Sequence, residues 1–204
     1  MTNEIYGIDY LRRRLADKQT RVLLRYKYYE MKNNAQDFSS LAPEKFKGLK
    51  ETVGWCAKAV DSLADRLQFD EFQNDEFDLS EIFLSNNQDI LIDSAVLSAL
   101  ISACSFVYIR EDNGYPRLQV IDGSNATGII DPVTNLLTEG YAVLERDSMG
   151  VVKTEAYFMA GMTEIYSHGV LVQRIPNAAP YALLVPIIYR PDAKRPFGHS
   201  RISR

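Results

Sequence analysis

Chemistry in a protein needs reactive side chains that converge, so the residues able to supply it are considered first. The chain has two histidines, His168 and His199. They are far apart and form no His-x-His or His-x-x-x-His pair of the kind that holds a metal with an open coordination position. Both are expected to be surface turn residues. Gly198-His199-Ser200-Arg201-Ile202 has the outline of a hydrolase nucleophile elbow, Gly-x-Ser-x-Gly. Ile202 stands where the second glycine is required, and no acid and histidine follow it. Ser200 is expected instead to cap a helix. None of the eleven glycines lies in a run that leads into Lys and Ser or Thr as a phosphate-cradling loop does. The two cysteines, Cys56 and Cys104, sit in separate apolar stretches and are expected to be buried free thiols. The expectation is no catalytic residue, no cofactor and no metal, and so no enzyme.

What the chain does have is charge in blocks. Asp65 to Asp93 holds nine carboxylates and one basic residue, Arg66. Such a run is usually a solvated face, with a protein contact as the alternative. Near the N-terminus the sign reverses: Arg12, Arg13, Arg14, Lys18, Arg21 and Arg25 are candidates for contact with DNA phosphates or with an acidic partner, since each neutralised phosphate releases counterions. The competing reading is a solvated helix face. A third is that this basic helix meets the acidic stretch of a neighbouring subunit, because unlike patches build closed rings. The whole chain has a net charge of −4 and a pI near 5.3, which argues against a surface that attracts nucleic acid everywhere.

The elements that must carry these groups follow from periodicity. At 204 residues, 46% hydrophobic and 25% charged, the chain is long and apolar enough to bury a core. Ile8, Leu11, Leu15, Val22, Leu23, Tyr26 and Tyr29 recur at helical steps, and Asp17 is a candidate cap for a second helix. Asn33 to Pro43 reads as a loop. Val53, Cys56, Ala57, Val60, Leu63, Ala64 and Leu67 form one stripe, which predicts a core helix over 52–67. Leu67 to Phe72 alternates as a short strand would. Asp78, three residues before Glu81, is a candidate N-cap. From Asp89 to about Ala103 the chain is apolar on nearly every face, as a helix buried on several sides should be.

After Ser105 the period changes to two. Strands are predicted at 106–110, 117–121, 128–130, 136–145, 151–159, 162–166 and 170–175, with Asn113-Gly114 as a hairpin turn and a last apolar run at 183–189. The fold class expected is α+β, with N-terminal helices packed against a mainly antiparallel β-rich half. The division is basic helices over 1–37, a helical core over 38–105, antiparallel strands over 106–190, and the start of a following helix over 191–204. No internal repeat and no secretory leader are read from the sequence, and the stop within that last helix is expected to be a truncation.

The order of these pieces resembles a known family. A Tyr-rich basic helix ends Tyr26-Lys-Tyr-Tyr-Glu30, and the helix Val53 to Leu67 leads into Gln68-Phe-Asp-Glu-Phe72. The apolar helix 89–105 runs directly into Phe106-Val-Tyr-Ile109. Val185-Pro-Ile-Ile-Tyr-Arg190 is followed, after a short loop, by Gly198-His-Ser-Arg-Ile202. In this order the motifs resemble the N-terminal wing region of portal proteins, the head-to-tail connectors of long-tailed bacteriophages. Each motif is structural and unspecific alone, and portal proteins are about twice as long.

The resemblance implies a structural subunit of a dodecameric ring that serves as the conduit for DNA packaging and ejection. Its implied partners are other portal subunits, capsid and scaffolding proteins, and double-stranded DNA in the channel. Terminase and a head-tail adaptor would bind through regions absent from this chain, and no membrane partner is implied. The implied location is the portal vertex of the virion, with assembly in the host cytoplasm. Rival readings are a portal-derived fragment acting as an interaction module, either a decoy or a trigger of host defence, and a phage hydrolase or a small DNA-binding regulator.

Overall fold

A computed structural model describes residues 5–32 and 54–202. The elements are α1 Ile8–Tyr29, α2 Trp55–Ala64, α3 Leu79–Ser85 and α4 Gln88–Ser102. Eight strands follow: β1 Cys104–Asp112, β2 Tyr115–Ile121, β3 Ala126–Ile130, β4 Leu137–Arg146, β5 Val152–Met159, β6 Met162–Ser167, β7 Val170–Pro176 and β8 Leu184–Ile188. All pairings are antiparallel, in a three-stranded sheet ordered β2-β1-β8 and a five-stranded meander ordered β3-β4-β5-β6-β7. The fold class is α+β, as the sequence predicts.

The helical expectations need three corrections. Asp17 caps nothing: no glycine or proline interrupts residues 8–29, so they form one helix that buries Leu11, Leu15 and Val22. The expected strand at 67–72 is absent. Phe69 and Phe72 instead pack on each other and on Phe83 at ring distances of 4.9 to 5.9 Å. Asp78 precedes α3 in the left-handed region and makes no capping bond. The cap is Asp75, whose carboxylate accepts from the N–H groups of Leu79 and Ser80, both at 2.7 Å, and is held below the usual carboxylate range by hydrogen bonds from Ser80 and Leu79. The loop expected at 33–43 and the first two residues of the helix expected at 52–67 lie outside the described residues.

Strand alternation sorts side chains onto two layers. Ala142, Ala156 and Phe158 of the meander meet Cys104, Phe106, Tyr108 and Leu184 of the small sheet, so the two sheets share one core. On the opposite face of the meander, Tyr141, Val143 and Tyr157 pack against Leu11 and Leu15 of α1. A third cluster, Val60 with Leu100 and Ile101, joins α2 to α4, and Leu63 and Leu97 lie half-buried against it. The serines at the junction of α4 and β1 are accommodated locally. Ser105 donates to Ala95 O at 2.7 Å, and the Ser102 hydroxyl sits between the carbonyls of Ser98 and Cys104. Among the described residues no helix is long and apolar enough to cross a membrane.

The α1-facing side of the meander also carries a polar layer. Thr138-Glu-Gly-Tyr141, Thr154-Glu-Ala-Tyr157 and Thr163-Glu-Ile-Tyr166 repeat one Thr-Glu-x-Tyr pattern on three successive strands. The register sets Tyr141 opposite Tyr157 and Glu155 opposite Tyr166. Tyr157 donates to Glu139 at 2.6 Å, Tyr141 to Glu155 at 2.5 Å and Tyr166 to Glu164 at 2.7 Å. Glu139 also accepts the backbone N–H groups of Tyr6 and Gly7, and Glu155 pairs with Arg12. The start of α1 is thus clamped by two buried carboxylates.

Two outcomes are expected. Val60→Asp places an unpaired charge at a fully buried site and should cost about 4 kcal/mol in denaturant unfolding; an unchanged midpoint would mean that the helical cluster is misassigned. The second concerns alkali. Burial pushes Tyr26 and Tyr29 up to about 12, and burial with hydrogen bonding to Glu155 and Glu139 raises Tyr141 and Tyr157. Each folded value lies above the unfolded value of about 10, so their stabilisation is intact below pH 10 and is lost as pH rises towards 12. Urea midpoints should stay level to about pH 10 and then fall, less steeply in a Tyr141→Phe/Tyr157→Phe variant.

Candidate anion cleft beside the first helix

The rotation that points Arg12 at the meander turns the rest of the basic run elsewhere. Arg14, Lys18, Arg21 and Arg25 follow at steps of four, three and four, which places them on one stripe of α1. That stripe, with Arg13, lines a half-open cleft of about 700 Å³. Its far wall is the α4–β1 junction, Ser102-Ala103-Cys104, together with Thr127 of β3 and Phe197-Gly198. Among the described residues that line it, Asp17 is the one carboxylate.

The wall is built by a sharp turn and a docked tail. Ala103 leaves α4 at φ 89°, which drops the chain directly into β1. Opposite it, Gly198 has φ 73°, and a Cβ there would lie 2.2 Å from Tyr189 O, so only glycine lets His199 N–H close on that carbonyl at 2.9 Å. Among the described residues no helix is formed at Ser200, where one is expected to begin: 198–200 is irregular and 201–202 bends, although Ser200 Oγ accepts the Ile202 N–H at 3.0 Å as a helix cap would. The buried Ser200 hydroxyl donates to Ile101 O at 2.6 Å, and Arg201 N–H donates to Leu100 O at 2.8 Å. Carbonyls at the end of α4 lack intrahelical donors, and this segment supplies them. Ser200 is therefore an anchor of the tail under α4.

The six cations divide by role. Arg12 lies outside the cleft, over Tyr166 and paired with Glu155 and Asp9, and Glu155 raises its already high pKa. Lys18 is half-buried, with its ammonium enclosed. It donates to Ala126 O at 2.6 Å and lies 5.4 Å from the ring centre of Phe106 and 5.9 Å from that of Phe197, and desolvation pulls its pKa down. Arg25 donates to Ser102 O at 2.8 Å, and burial lowers its pKa as well. Arg14 rests over Phe197 at 5.3 Å, whereas Arg13 and Arg21 are exposed. Arg13, Arg14 and Arg21 make no side-chain hydrogen bond or ion pair with another described residue.

The remaining candidates carry less. His168 is exposed at the Gly169 turn, and His199 bonds Asp192 at 2.5 Å and Arg195 at 2.9 Å. Cys56 and Cys104 are free thiols as expected, but only Cys104 is buried and Cys56 is half-buried. Burial pushes the Cys104 thiol up, against the opposing pull of Lys18, so it is a poor nucleophile. Among the described residues no three His, Cys, Asp or Glu side chains cluster as metal ligands would. In the acidic stretch Asp70, Glu71, Glu76 and Asp78 are exposed and in no ion pair among the described residues.

Sequence reasoning missed Glu139, Glu155 and Glu164. Their signal was present as the repeated Glu-x-Tyr, which puts a carboxylate and a phenol on one face of a strand. Compared with known proteins, the chain matches no family model and no curated protein.

The division of roles has a measurable consequence. Arg13→Glu/Arg21→Glu alters exposed side chains and should leave the melting temperature within about 2 °C of wild type. Arg12→Ala removes the partner of a buried carboxylate and should cost about 2 kcal/mol, with thermal unfolding as the check; the reverse ranking would contradict the assignment.

Proposed function

We propose that the chain is the wing region of a phage portal subunit, a structural element of the ring through which DNA is packaged and ejected, with no catalytic role of its own. The observation that carries this reading is the order of elements. A basic first helix is followed by α2, α3 and a helix, α4, that turns at Ala103 directly into β1, then by β2, the antiparallel meander and an apolar strand, β8, that returns beside β1. That order is the one on which the resemblance of the sequence rests.

Two surface features suit a subunit that assembles. Strand β7 is exposed along its whole length at the edge of the meander, with Val170 and Val172 open to solvent, and an unpaired apolar edge is a template for another chain. The basic cleft and the acidic stretch are unlike patches of one chain, as heterologous ring contacts require.

Assembly is the test. The complete reading frame that carries this chain, expressed and viewed by negative-stain electron microscopy, should give dodecameric rings with a central channel, while residues 1–204 alone should scatter light as a monomer or a weak small oligomer. A full-length product that stays monomeric, or turnover of ATP or DNA that chelation abolishes, would overturn the reading.

A further inference from the structure

We propose that the cleft between α1 and the α4–β1 junction binds a compact polyphosphate-class oxyanion, held by Arg13, Arg14, Lys18, Arg21 and Arg25. The inference stands on the cleft alone and not on the portal reading.

Charge comes first. Among the described residues five cations and one carboxylate line the cleft, in a chain whose net charge is −4, so the cleft concentrates positive potential against the overall balance. None of the five is in an ion pair among the described residues. Like charges crowded against low-dielectric walls repel, and a bound anion removes that cost. A single carboxylate carries one negative charge and leaves most of the surplus in place. A chain of phosphoryl groups carries several.

Donor geometry agrees with this. The guanidinium of Arg14 is held against Phe197 by attraction to the ring face, which consumes none of its N–H donors. Those donors, and the free forks of Arg13 and Arg21, match the oxygen spacing of phosphoryl groups. The Lys18 ammonium adds a point charge at the floor, with one of its three donors satisfied by Ala126 O. A cleft of about 700 Å³ is of the size that takes small ligands.

Two alternatives fit less well. A nucleobase would need a free aromatic face to stack on, and each of the two described rings lining the cleft already has neighbours: Phe197 has Arg14 and Lys18 against it, and Tyr10 packs on Tyr6 at 4.8 Å. Duplex DNA is too broad to bring a phosphate to Lys18, which lies inside against Phe106; a flexible or compact ligand can reach it.

Isothermal titration calorimetry with inorganic tripolyphosphate at low ionic strength is the test. Wild type should bind saturably at one site, nucleoside triphosphates should bind alike whatever their base, and duplex DNA should not displace the probe. Arg13→Glu/Arg21→Glu should weaken binding at least about tenfold, with Lys58→Glu on α2 as an unaffected control. Lys18→Met should weaken it too, and if that variant does not fold, the exposed pair still decides the matter. No saturable binding up to about 1 mM, affinity unchanged in the double variant, or equal binding of a glutamate peptide of the same charge would overturn the proposal. Displacement by duplex DNA with the same Arg13/Arg21 dependence would assign the cleft to a nucleic-acid backbone and overturn the compact ligand. None of these results bears on whether the full reading frame forms rings.

Discussion

Two carboxylates, Glu139 and Glu155, are buried on the face of the meander that meets the first helix, and the arrangement of the helical half depends on their being satisfied. A buried charge without partners is costly enough to prevent the packing that buries it. The strands supply one hydroxyl to each, from Tyr157 and Tyr141. The rest comes from α1: two backbone N–H groups at its start for Glu139, and the Arg12 guanidinium for Glu155. Position and rotation of α1 are thereby set together. With Arg12 turned to the sheet and Leu11 and Leu15 beneath, the stripe Arg14, Lys18, Arg21, Arg25 is forced round to the α4–β1 junction. The cleft is a consequence of the clamp.

The opposite wall of the cleft depends on α4. This helix is buried on several sides because it touches α1, α2, α3 and both strands of the β1–β2 hairpin. Its last turn exposes carbonyls that the chain near Ser200 returns, about a hundred residues later, to satisfy. The left-handed Gly198 makes that return possible and brings Phe197 to the rim, where Arg14 and Lys18 lie against it. Buried polar groups on both sides of the cleft are therefore answered by parts of the chain remote in sequence. Such contacts tie the two layers into one body and give a rigid setting for a concentrated positive charge.

Period and turn chemistry made much of the architecture legible. The switch from helical to alternating spacing near residue 104, the Asn113-Gly114 hairpin and the strand sequence through β8 are local properties, written in side chains a few residues apart. Where a local pattern lacked a tertiary partner, legibility failed. Leu67 to Phe72 alternates like a strand but its phenylalanines pack on Phe83 instead, and Ser200 makes a cap-like bond to Ile202 N–H but is held under another helix in place of starting its own. Asp78 is correctly spaced for capping, yet Asp75 reaches the free N–H groups first.

The candidate site divides in the same way. The sequence by itself determined that α1 carries a stripe of cations, because a 3.6-residue period puts residues 14, 18, 21 and 25 on one side whatever surrounds them. It determined also that Glu-x-Tyr pairs share a strand face. Only the tertiary structure decided that Arg12 is spent on Glu155 while its neighbours line a cleft, since that choice depends on which face of α1 meets the meander. The physical reason is that a charge on an isolated helix has no preferred partner. The buried carboxylates that claim one cation and leave five exist as a site only once β4 and β5 are in register.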